Sequence, residues 1–379
     1  MQTEFESATE NAALKAAIVD RIQREGGISF RDFMQMALYE PGLGYYCTER
    51  ETMGRSGDYL TSPEVSPLFG AMIGRQLREV WELLGTPSRF DIVEVGAGNG
   101  TLCRDVLSWV RRAAPEMLEA ICYKIVELIP ALQAKQQARV ESDGLRSPLQ
   151  WLAEMPGEIE GCIITNELLD SMPVHRVAMT EGLREVYVNL DGSHFAEEVR
   201  EPAAEVRRYF DDLKLLPGVG CRAEVNLEAP RWMRDSGRSL SRGFVLTLDY
   251  GYEARELYEP WRTDGTLLCF YRHNPSGDPY ARIGRQDITS HVDFTTLCRA
   301  GEDAGLTTIG LTSQAEFLTH LGIADALPLP EGEIDLEERL ARRRAVSELI
   351  DPAGLGRIKV LAQAKGVTDA HLRGFAGDA

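Results

Sequence analysis

The chain has 379 residues, of which 44% are hydrophobic and 26% charged; this is the composition of a folded protein with one or two cores and excludes a mainly disordered chain. The formal net charge of −18 argues against a nucleic acid partner, because a polyanion is bound through basic residues. The longest apolar runs are too short to cross a bilayer, so no membrane span or membrane partner is predicted.

The seven cysteines are odd in number and scattered, without a CxxC pair or a cysteine–histidine cluster. They are interpreted as reduced core residues, and no metal site is predicted. Residues 1–22 are acidic and lack an apolar centre, which indicates neither a secretory signal nor a transit peptide. A bacterial cytoplasmic protein is the favoured interpretation, and a mitochondrial matrix protein whose transit peptide has been removed is the alternative.

The N-terminal region is predicted to be helical and to carry one polar loop. Helical spacing runs over residues 12–40, with Ser29 as an N-cap, and a further helix begins after Ser66. Between them lies GDYLTSPEVSPLFG (57–70), a loop rich in hydrogen-bonding side chains, namely Asp58, Tyr59, Thr61, Ser62 and Glu64. From its residues alone, the loop is interpreted as a structured N-cap loop for the helix that follows it.

From Asp91 onward short apolar runs alternate with helical segments, which predicts an α/β fold with a parallel sheet covered on both faces. Acidic residues lie at the carboxyl ends of these strands, where an open α/β sheet binds its ligand; they are Glu94, Glu127, Glu167 and Asp249. The alternation stops after Pro173, where three runs predict an antiparallel meander followed by two helices. Later strands are predicted over 265–273 and 306–311, and a helix over 337–350.

The predicted domains are an N-terminal helical region with the loop (1–88), a Rossmann-like core (89–173 and 244–325), an acceptor-side insertion (174–243) and a C-terminal helical segment (326–379).

The segment EVGAGNG places Gly96, Gly98 and Gly100 between a strand and a helix. Such a turn lets a ligand approach the backbone closely at a helix N-terminus. The dinucleotide fingerprint requires a further glycine where this chain has Thr101, so the pattern is GxGxG with Glu94 two residues before it. This is the first motif of methyltransferases that use S-adenosylmethionine (SAM), with Glu94 near the cationic end of the ligand.

Two further side chains are candidates for contact with SAM. Glu127 ends the second strand and can accept both ribose hydroxyls, although a solvent-exposed glutamate at a strand end is the alternative. Trp151 is predicted to pack on the adenine, although a tryptophan in the core is the commoner case.

The segment NELLDSMP (166–173) leaves a buried strand with Asn166, Glu167 and Asp170 close together. Methyl transfer requires alignment and polarisation of the nucleophile. If the acceptor is an arginine, Glu167 paired with Asp170 or Glu64 can bind the guanidinium and later accept its proton, while Asn166 contacts the cofactor. The alternative is a helix-capping cluster, with Asn166 as the N-cap.

Taken in order, GDYLTSPEVSPLFG, EVGAGNGTL, NELLDSMPVH, LDYG and DITSHVDFTTL resemble the MidA family, SAM-dependent methyltransferases related to the mitochondrial complex I assembly-factor arginine methyltransferase. The resemblance extends from about residue 30 to 323. Members of the family usually read EVGPGRG, whereas this chain has Ala97 and Asn99.

The resemblance implies a class I methyltransferase core with an added N-terminal helical region and an antiparallel and helical insertion. It also implies dimethylation of an arginine on the 49-kDa-type subunit of NADH:ubiquinone oxidoreductase during assembly. In such a fold the polar loop would cover the SAM cleft, a role that is compatible with leading into the next helix. Tyr59 and Thr61 would contact the cofactor or the acceptor, and Glu64 would face the methyl-transfer site.

Two alternatives stay open, because a fold does not determine a substrate. One is a small-molecule O- or N-methyltransferase on the same scaffold. The other is an assembly factor that binds SAM without catalysis. The sequence does not indicate the oligomeric state.

Overall fold

The structure, a computed structural model, describes residues 10–48, 50, 52–142, 149–326, 336–368 and 370–375. Its α-helices, in chain order, are α1 (Ala12–Glu25), α2 (Phe30–Tyr39), α3 (Ser62–Val65), α4 (Pro67–Leu83), α5 (Thr101–Ala113), α6 (Pro115–Leu118), α7 (Pro130–Ser142), α8 (Ala204–Leu213), α9 (Glu228–Ser239), α10 (Ala254–Leu257), α11 (Phe294–Asp303), α12 (Gln314–His320) and α13 (Leu336–Leu349). Within the described ranges, none of the helices has both the length and the apolar character needed to span a membrane.

The strands, in chain order, are β1 (Ile28–Ser29), β2 (Phe90–Val95), β3 (Ile121–Val126), β4 (Leu149–Leu152), β5 (Ile159–Asn166), β6 (His175–Met179), β7 (Leu183–Asp191), β8 (His194–Arg200), β9 (Arg222–Val225), β10 (Leu240–Asp249), β11 (Gly251–Tyr252), β12 (Leu268–Tyr271), β13 (Asn274–Ser276), β14 (Asp287–Thr289), β15 (Val292–Asp293), β16 (Thr307–Ser313) and β17 (Lys359–Lys365). The chain divides into two compact units. Unit 1 comprises Met1–Tyr59, Leu169–Arg231 and Gly251–Leu297, and unit 2 comprises Leu60–Leu168, Trp232–Tyr250 and Cys298–Ala379.

Unit 2 is built on a seven-stranded sheet in the order β16-β17-β10-β5-β2-β3-β4. In this order, each strand from β10 to β4 runs parallel to the next one. Strand β17 runs antiparallel to both of its neighbours, β10 and β16. The strand order reverses between β2 and β5, since the chain proceeds from β2 to one edge and then returns to β5. Ligands of open α/β sheets bind beyond the carboxyl ends of the strands at such a reversal.

The core of unit 2 follows from the sequence. Helices α4 and α5 bury one apolar stripe each, which includes Ile73, Leu77, Val106 and Val110. The Ser66 hydroxyl accepts a hydrogen bond from the Leu68 N–H, which confirms the predicted N-cap of α4. The predicted α/β fold with a parallel sheet is confirmed.

Unit 1 contains the predicted antiparallel meander. Strands β6, β7 and β8 pair in sequence, and the sheet runs β1-β7-β6-β9 with β8 on β7. Unit 1 also contains a separate three-stranded sheet, β13-β12-β14, and the two-stranded sheet β11–β15. Ser29 caps α2 as predicted, since its hydroxyl accepts a hydrogen bond from the Asp32 N–H.

The C-terminal segment differs from its prediction. It was predicted to be helical, and besides α13 it contributes β17, which lies between β10 and β16. The five residues from Val360 to Ala364 are all buried. A strand that is covered on both faces shows no polar–apolar alternation, so its sequence gives no strand period to detect.

A close backbone contact within the sheet yields a prediction. A Cβ added at Gly161 of β5 would lie 1.9 Å from the Asp91 carbonyl oxygen of β2. We expect Gly161→Ala to destabilise the protein by at least about 3 kcal/mol, because neither strand can move aside. Gly157→Ala, where a Cβ meets no atom within 4 Å, is the control. Equal urea midpoints for the two variants would contradict the prediction.

Candidate cofactor and acceptor site

The glycine turn joins β2 to α5 at the point where the strand order reverses. Gly96, Gly98 and Gly100 all have positive φ angles, of 69°, 56° and 84°, which glycine adopts without steric cost. Gly100 is also the N-cap residue of α5, and a Cβ there would lie 3.1 Å from the Gln136 Cα atom of α7. The turn therefore exposes backbone at a helix N-terminus and lets α7 approach closely.

Glu94 lies in β2 and is buried, 3% exposed. Its Oε2 atom accepts a hydrogen bond of 2.6 Å from the Tyr123 hydroxyl of β3. Burial raises the pKa of Glu94 to about 7, the Tyr123 hydrogen bond lowers it in part, and the charge of Glu127 raises it further. Contact of Glu94 with the cationic end of SAM stays a prediction.

Glu127 follows β3 and is held by α7. Its Oε1 atom accepts a hydrogen bond of 3.0 Å from the Ile129 N–H, and its Oε2 atom accepts one of 2.9 Å from the Gln136 Nε2 amide. Burial raises the pKa of Glu127, and the hydrogen bonds from Ile129, Gln136 and the Leu128 N–H act in the opposite direction. The exposed glutamate that the alternative required is not what the structure contains, since Glu127 is only 5% exposed.

Gln136 connects the parts of this site, and the sequence analysis did not single it out. Its Nε2 amide also donates a hydrogen bond of 3.0 Å to the Gly98 carbonyl, and its Oε1 atom accepts one of 3.1 Å from the Trp151 indole N–H. Gln136 is fully buried between Leu132 and Val140 of the apolar stripe of α7. A polar residue in an apolar i, i+4 stripe was the signal that could have identified it.

Trp151 lies within β4. Its ring is half-buried and packs against the core of unit 2, while its N–H contacts Gln136. The Trp151 ring is thus part of the core of unit 2, and its N–H binds the same amide that holds Glu127. Its contact with adenine stays a prediction.

These residues fit an adenosyl cofactor. An ionised carboxylate accepts about four hydrogen bonds, so Glu127, which already accepts hydrogen bonds from Ile129, Gln136 and the Leu128 N–H, has capacity left for a ribose hydroxyl. Contact with both ribose hydroxyls stays a prediction. The glycine turn next to it offers backbone that a ligand can approach, and the indole ring of Trp151 is tied to the same amide as Glu127.

The acceptor side of unit 2 begins at the carboxyl end of β5. Glu167 has a φ of 52°, in the left-handed region that residues with a Cβ rarely adopt. Its Oε1 atom accepts hydrogen bonds of 3.0 Å from the Ser62 N–H and from the Asn166 Nδ2 amide. The Asn166 Oδ1 atom is buried and has no hydrogen-bond partner among the described residues. The Asn166 amide nitrogen therefore orients Glu167, and the amide oxygen makes no helix-capping contact with any described residue.

Glu64, in the short helix α3, lies against the start of α5. Its Oε1 atom accepts a hydrogen bond of 2.8 Å from the Asn99 amide and one from the Thr101 hydroxyl, and it is 3.4 Å from the Arg139 guanidinium. Asn99, which replaces the arginine that the family usually has, also accepts the Thr101 N–H through Oδ1. The Glu64 carboxylate is thus already paired, and its catalytic role stays a prediction.

Helix α3 is also tied to the C-terminal part of unit 2. Thr61 precedes the helix, and its carbonyl accepts the Glu64 N–H at 3.0 Å. The Ser62 hydroxyl donates to the Gln314 Oε1 atom at 2.9 Å, and Gln314 in turn donates to the Leu349 carbonyl at 2.9 Å. Ser62 and Gln314 are both fully buried. The contact predicted between Thr61 and the cofactor stays a prediction.

Two predicted site residues belong to unit 1. Tyr59 is partly buried against the aromatic core around α2, and its carbonyl accepts the Gly54 N–H at 2.9 Å. Asp170 is buried, and its carbonyl accepts the Ser290 N–H at 2.9 Å. The functional roles predicted for both side chains stay predictions.

A sheet of this order with one antiparallel strand, a glycine turn after β2 and an acidic residue after β3 define a class I SAM-dependent methyltransferase. Residues 72–312 match the family model of S-adenosyl-L-methionine-dependent methyltransferases, and the chain belongs to this family. The resemblance to the MidA family that the sequence indicated is confirmed.

Solved structures and curated relatives agree with this assignment. A related protein from Burkholderia thailandensis, crystallised with S-adenosyl-homocysteine, is 35% identical to this chain, with a TM-score of 0.88. The match covers 97% of this chain and 95% of that chain. The mitochondrial protein arginine methyltransferase NDUFAF7 homolog of Drosophila melanogaster is 29% identical over 98% of this chain and 90% of that protein. The protein arginine methyltransferase NDUFAF7 of Mus musculus is 28% identical over 80% and 72%, respectively.

The titration of Glu94 yields a prediction about stability. Its folded pKa of about 7 lies above its ordinary value of 4.5, so the stability it contributes is complete below about pH 4.5 and is lost as the pH rises through about 7. Glu94→Gln removes this loss. We expect the variant to gain on the order of 2 kcal/mol relative to wild type between about pH 5 and about pH 8 in urea unfolding.

Glu119→Gln, at the exposed C-cap residue of α6, is the control and is expected to show the same dependence of stability on pH as wild type. A difference between Glu94→Gln and wild type that does not change with pH would contradict the assignment of the titration to Glu94.

Proposed function

We propose that this methyltransferase modifies the side chain of an arginine in a protein. The observation that carries the proposal is the Glu167 carboxylate, which is fixed at the carboxyl end of β5 by the Ser62 N–H and the Asn166 amide. The curated relatives in Drosophila melanogaster and Mus musculus, both protein arginine methyltransferases by name, support the same acceptor.

The chemistry of an arginine acceptor explains why a fixed carboxylate is needed. SAM, when bound, would supply an electrophilic methyl group on a sulfonium; the nucleophile would attack the methyl carbon in line with the C–S bond, and the sulfur would leave as the neutral thioether of S-adenosyl-homocysteine. A guanidinium is protonated and planar, and it is a poor nucleophile until one nitrogen is polarised. Glu167 would accept N–H groups of the guanidinium, hold one nitrogen toward the methyl group and take up the released proton. Asn166 Oδ1, buried and unpartnered among the described residues, would accept a hydrogen bond from the cofactor.

Asp170 and Glu64 are the candidates for a second carboxylate. Asp170 follows Glu167 by three positions in the sequence. Glu64 would have to exchange the contacts that it makes with Asn99, Thr101 and Arg139 for contacts with the acceptor.

We further propose the partner that the resemblance to the MidA family implies, an arginine-bearing subunit of respiratory complex I, of the 49-kDa type, that is dimethylated during assembly. The net charge of −18 favours a cationic acceptor segment. The compartment would be the cytoplasm of a bacterium, or the mitochondrial matrix.

Methyl transfer from radiolabelled SAM into an extract of a strain that lacks the gene tests the acceptor class. We expect label in one protein band, which yields dimethylarginine on acid hydrolysis. Label confined to the acid-soluble fraction would indicate a small-molecule methyltransferase, and no transfer by a protein that binds SAM would indicate a non-catalytic assembly factor.

The role of Glu167 is tested by Glu167→Gln. We expect at least about a hundredfold loss of kcat with less than about a threefold change in SAM affinity, because the amide keeps the shape but neither attracts the guanidinium nor accepts its proton. Glu158→Gln is the matched control, since Glu158 also has a left-handed φ, of 54°, and is exposed. Transfer by Glu167→Gln at the wild-type rate would exclude Glu167 from catalysis.

A further inference from the structure

We propose that Gln136 is a positioning residue of the cofactor site: its amide orients the Glu127 carboxylate so that this carboxylate can bind the ribose of the cofactor. The inference depends on SAM binding, which the family assignment supports, and not on the identity of the methyl acceptor.

The hydrogen-bond chemistry fixes how the Gln136 amide is oriented. An indole N–H can only donate, so the atom that faces Trp151 at 3.1 Å must be the amide oxygen. The amide nitrogen then directs its two hydrogens to the Glu127 carboxylate at 2.9 Å and to the Gly98 carbonyl at 3.0 Å. Both hydrogens are used, and the oxygen has a donor.

The three hydrogen bonds, to Gly98, Glu127 and Trp151, require a glutamine at this position. A glutamate at the same place has no N–H for Gly98 and would set a second carboxylate against Glu127. A methionine fills a similar volume but neither donates to Glu127 nor accepts from Trp151. Because Gln136 is fully buried, water cannot replace the lost partners without a rearrangement.

Gln136 acts on three segments that are distant in sequence. Gly98 belongs to the glycine turn, Glu127 to the end of β3 and Trp151 to β4. The absence of a Cβ at Gly100 allows α7 to come near enough for this contact, since an added Cβ would lie 3.1 Å from the Gln136 Cα atom. One amide thereby fixes the relative positions of the groups that would surround the adenosine.

Gln136 also favours the ionised form of Glu127, which is the form that accepts two hydroxyl hydrogens. A hydrogen bond donated to a carboxylate lowers its pKa, whereas the burial of Glu127 raises it. Among the residues that the structure describes, Glu94 of β2 is a titratable group whose charge interacts with that of Glu127. Glu94 is unchanged in the variants below, so its contribution largely cancels when each is compared with wild type at the same pH.

Calorimetric titration with S-adenosyl-homocysteine, at several values between about pH 5.5 and about pH 8.5, tests the proposal on the full chain without any methyl acceptor. For Gln136→Met we expect an affinity about 10- to 100-fold below wild type, with a deficit that grows as the pH falls, because Glu127 without its donor protonates at a higher pH.

For Gln136→Glu we expect the opposite pH dependence. At low pH the two carboxyl groups share one proton, a donor to Glu127 is restored, and affinity approaches that of wild type. At high pH both groups are ionised and repel each other, so the deficit grows. Recovery of binding at low pH also demonstrates that this variant is folded.

Gln133→Met is the matched control. Gln133 lies on the same helix and donates at 2.7 Å to the backbone carbonyl of Glu127 and not to its carboxylate. We expect a deficit of less than about threefold that does not change with pH. Equal effects of the two methionine variants, or the same direction of pH dependence in Gln136→Met and Gln136→Glu, would overturn the proposal.

Discussion

The geometry of unit 2 depends on one constraint: carboxylates that are partly or fully buried at the carboxyl ends of parallel strands need hydrogen-bond donors within the protein. Glu127 at the end of β3 obtains one from Gln136 of α7, and Glu167 at the end of β5 obtains one from the Ser62 N–H of α3. A helix that lies over the sheet edge thus supplies the donor in each case. The positions of these helices and the orientation of the site carboxylates are determined by the same bonds.

Helix α3 connects the two sides of this site within unit 2. Ser62 binds Glu167 on the acceptor side, and Glu64 binds Asn99 and Thr101 at the glycine turn. The Ser62 hydroxyl extends the connection through Gln314 to Leu349 at the end of α13. The polar loop that stood out in the sequence therefore leads into α4 and also binds residues of the predicted site; that it covers a ligand cleft stays a prediction.

Local sequence patterns correctly predicted those structural features that are determined by residues close together in the chain. The glycines, the strand ends that carry Glu94, Glu127 and Glu167, and the caps Ser29 and Ser66 are all set by residues within a few positions, and the structure contains each of them. Gln136 and Gln314 were missed because their roles depend on partners far along the chain, such as Trp151 and Leu349. Strand β17 was missed because burial on both faces removes the alternation that marks a strand.

The backbone of Glu167 shows how the acceptor side combines strain and hydrogen bonding. A left-handed φ in a residue with a Cβ costs about 1–2 kcal/mol, and two hydrogen bonds to a carboxylate, at about 1.5–3 kcal/mol each, are enough to offset it. The Ser62 N–H and the Asn166 amide provide those two bonds, and the Glu167 N–H is bound to the Leu248 carbonyl. The chain thus keeps Glu167 in a conformation that an isolated peptide would avoid. Such local strain is typical of functional sites, and here it is concentrated in the residue that we place in contact with the acceptor.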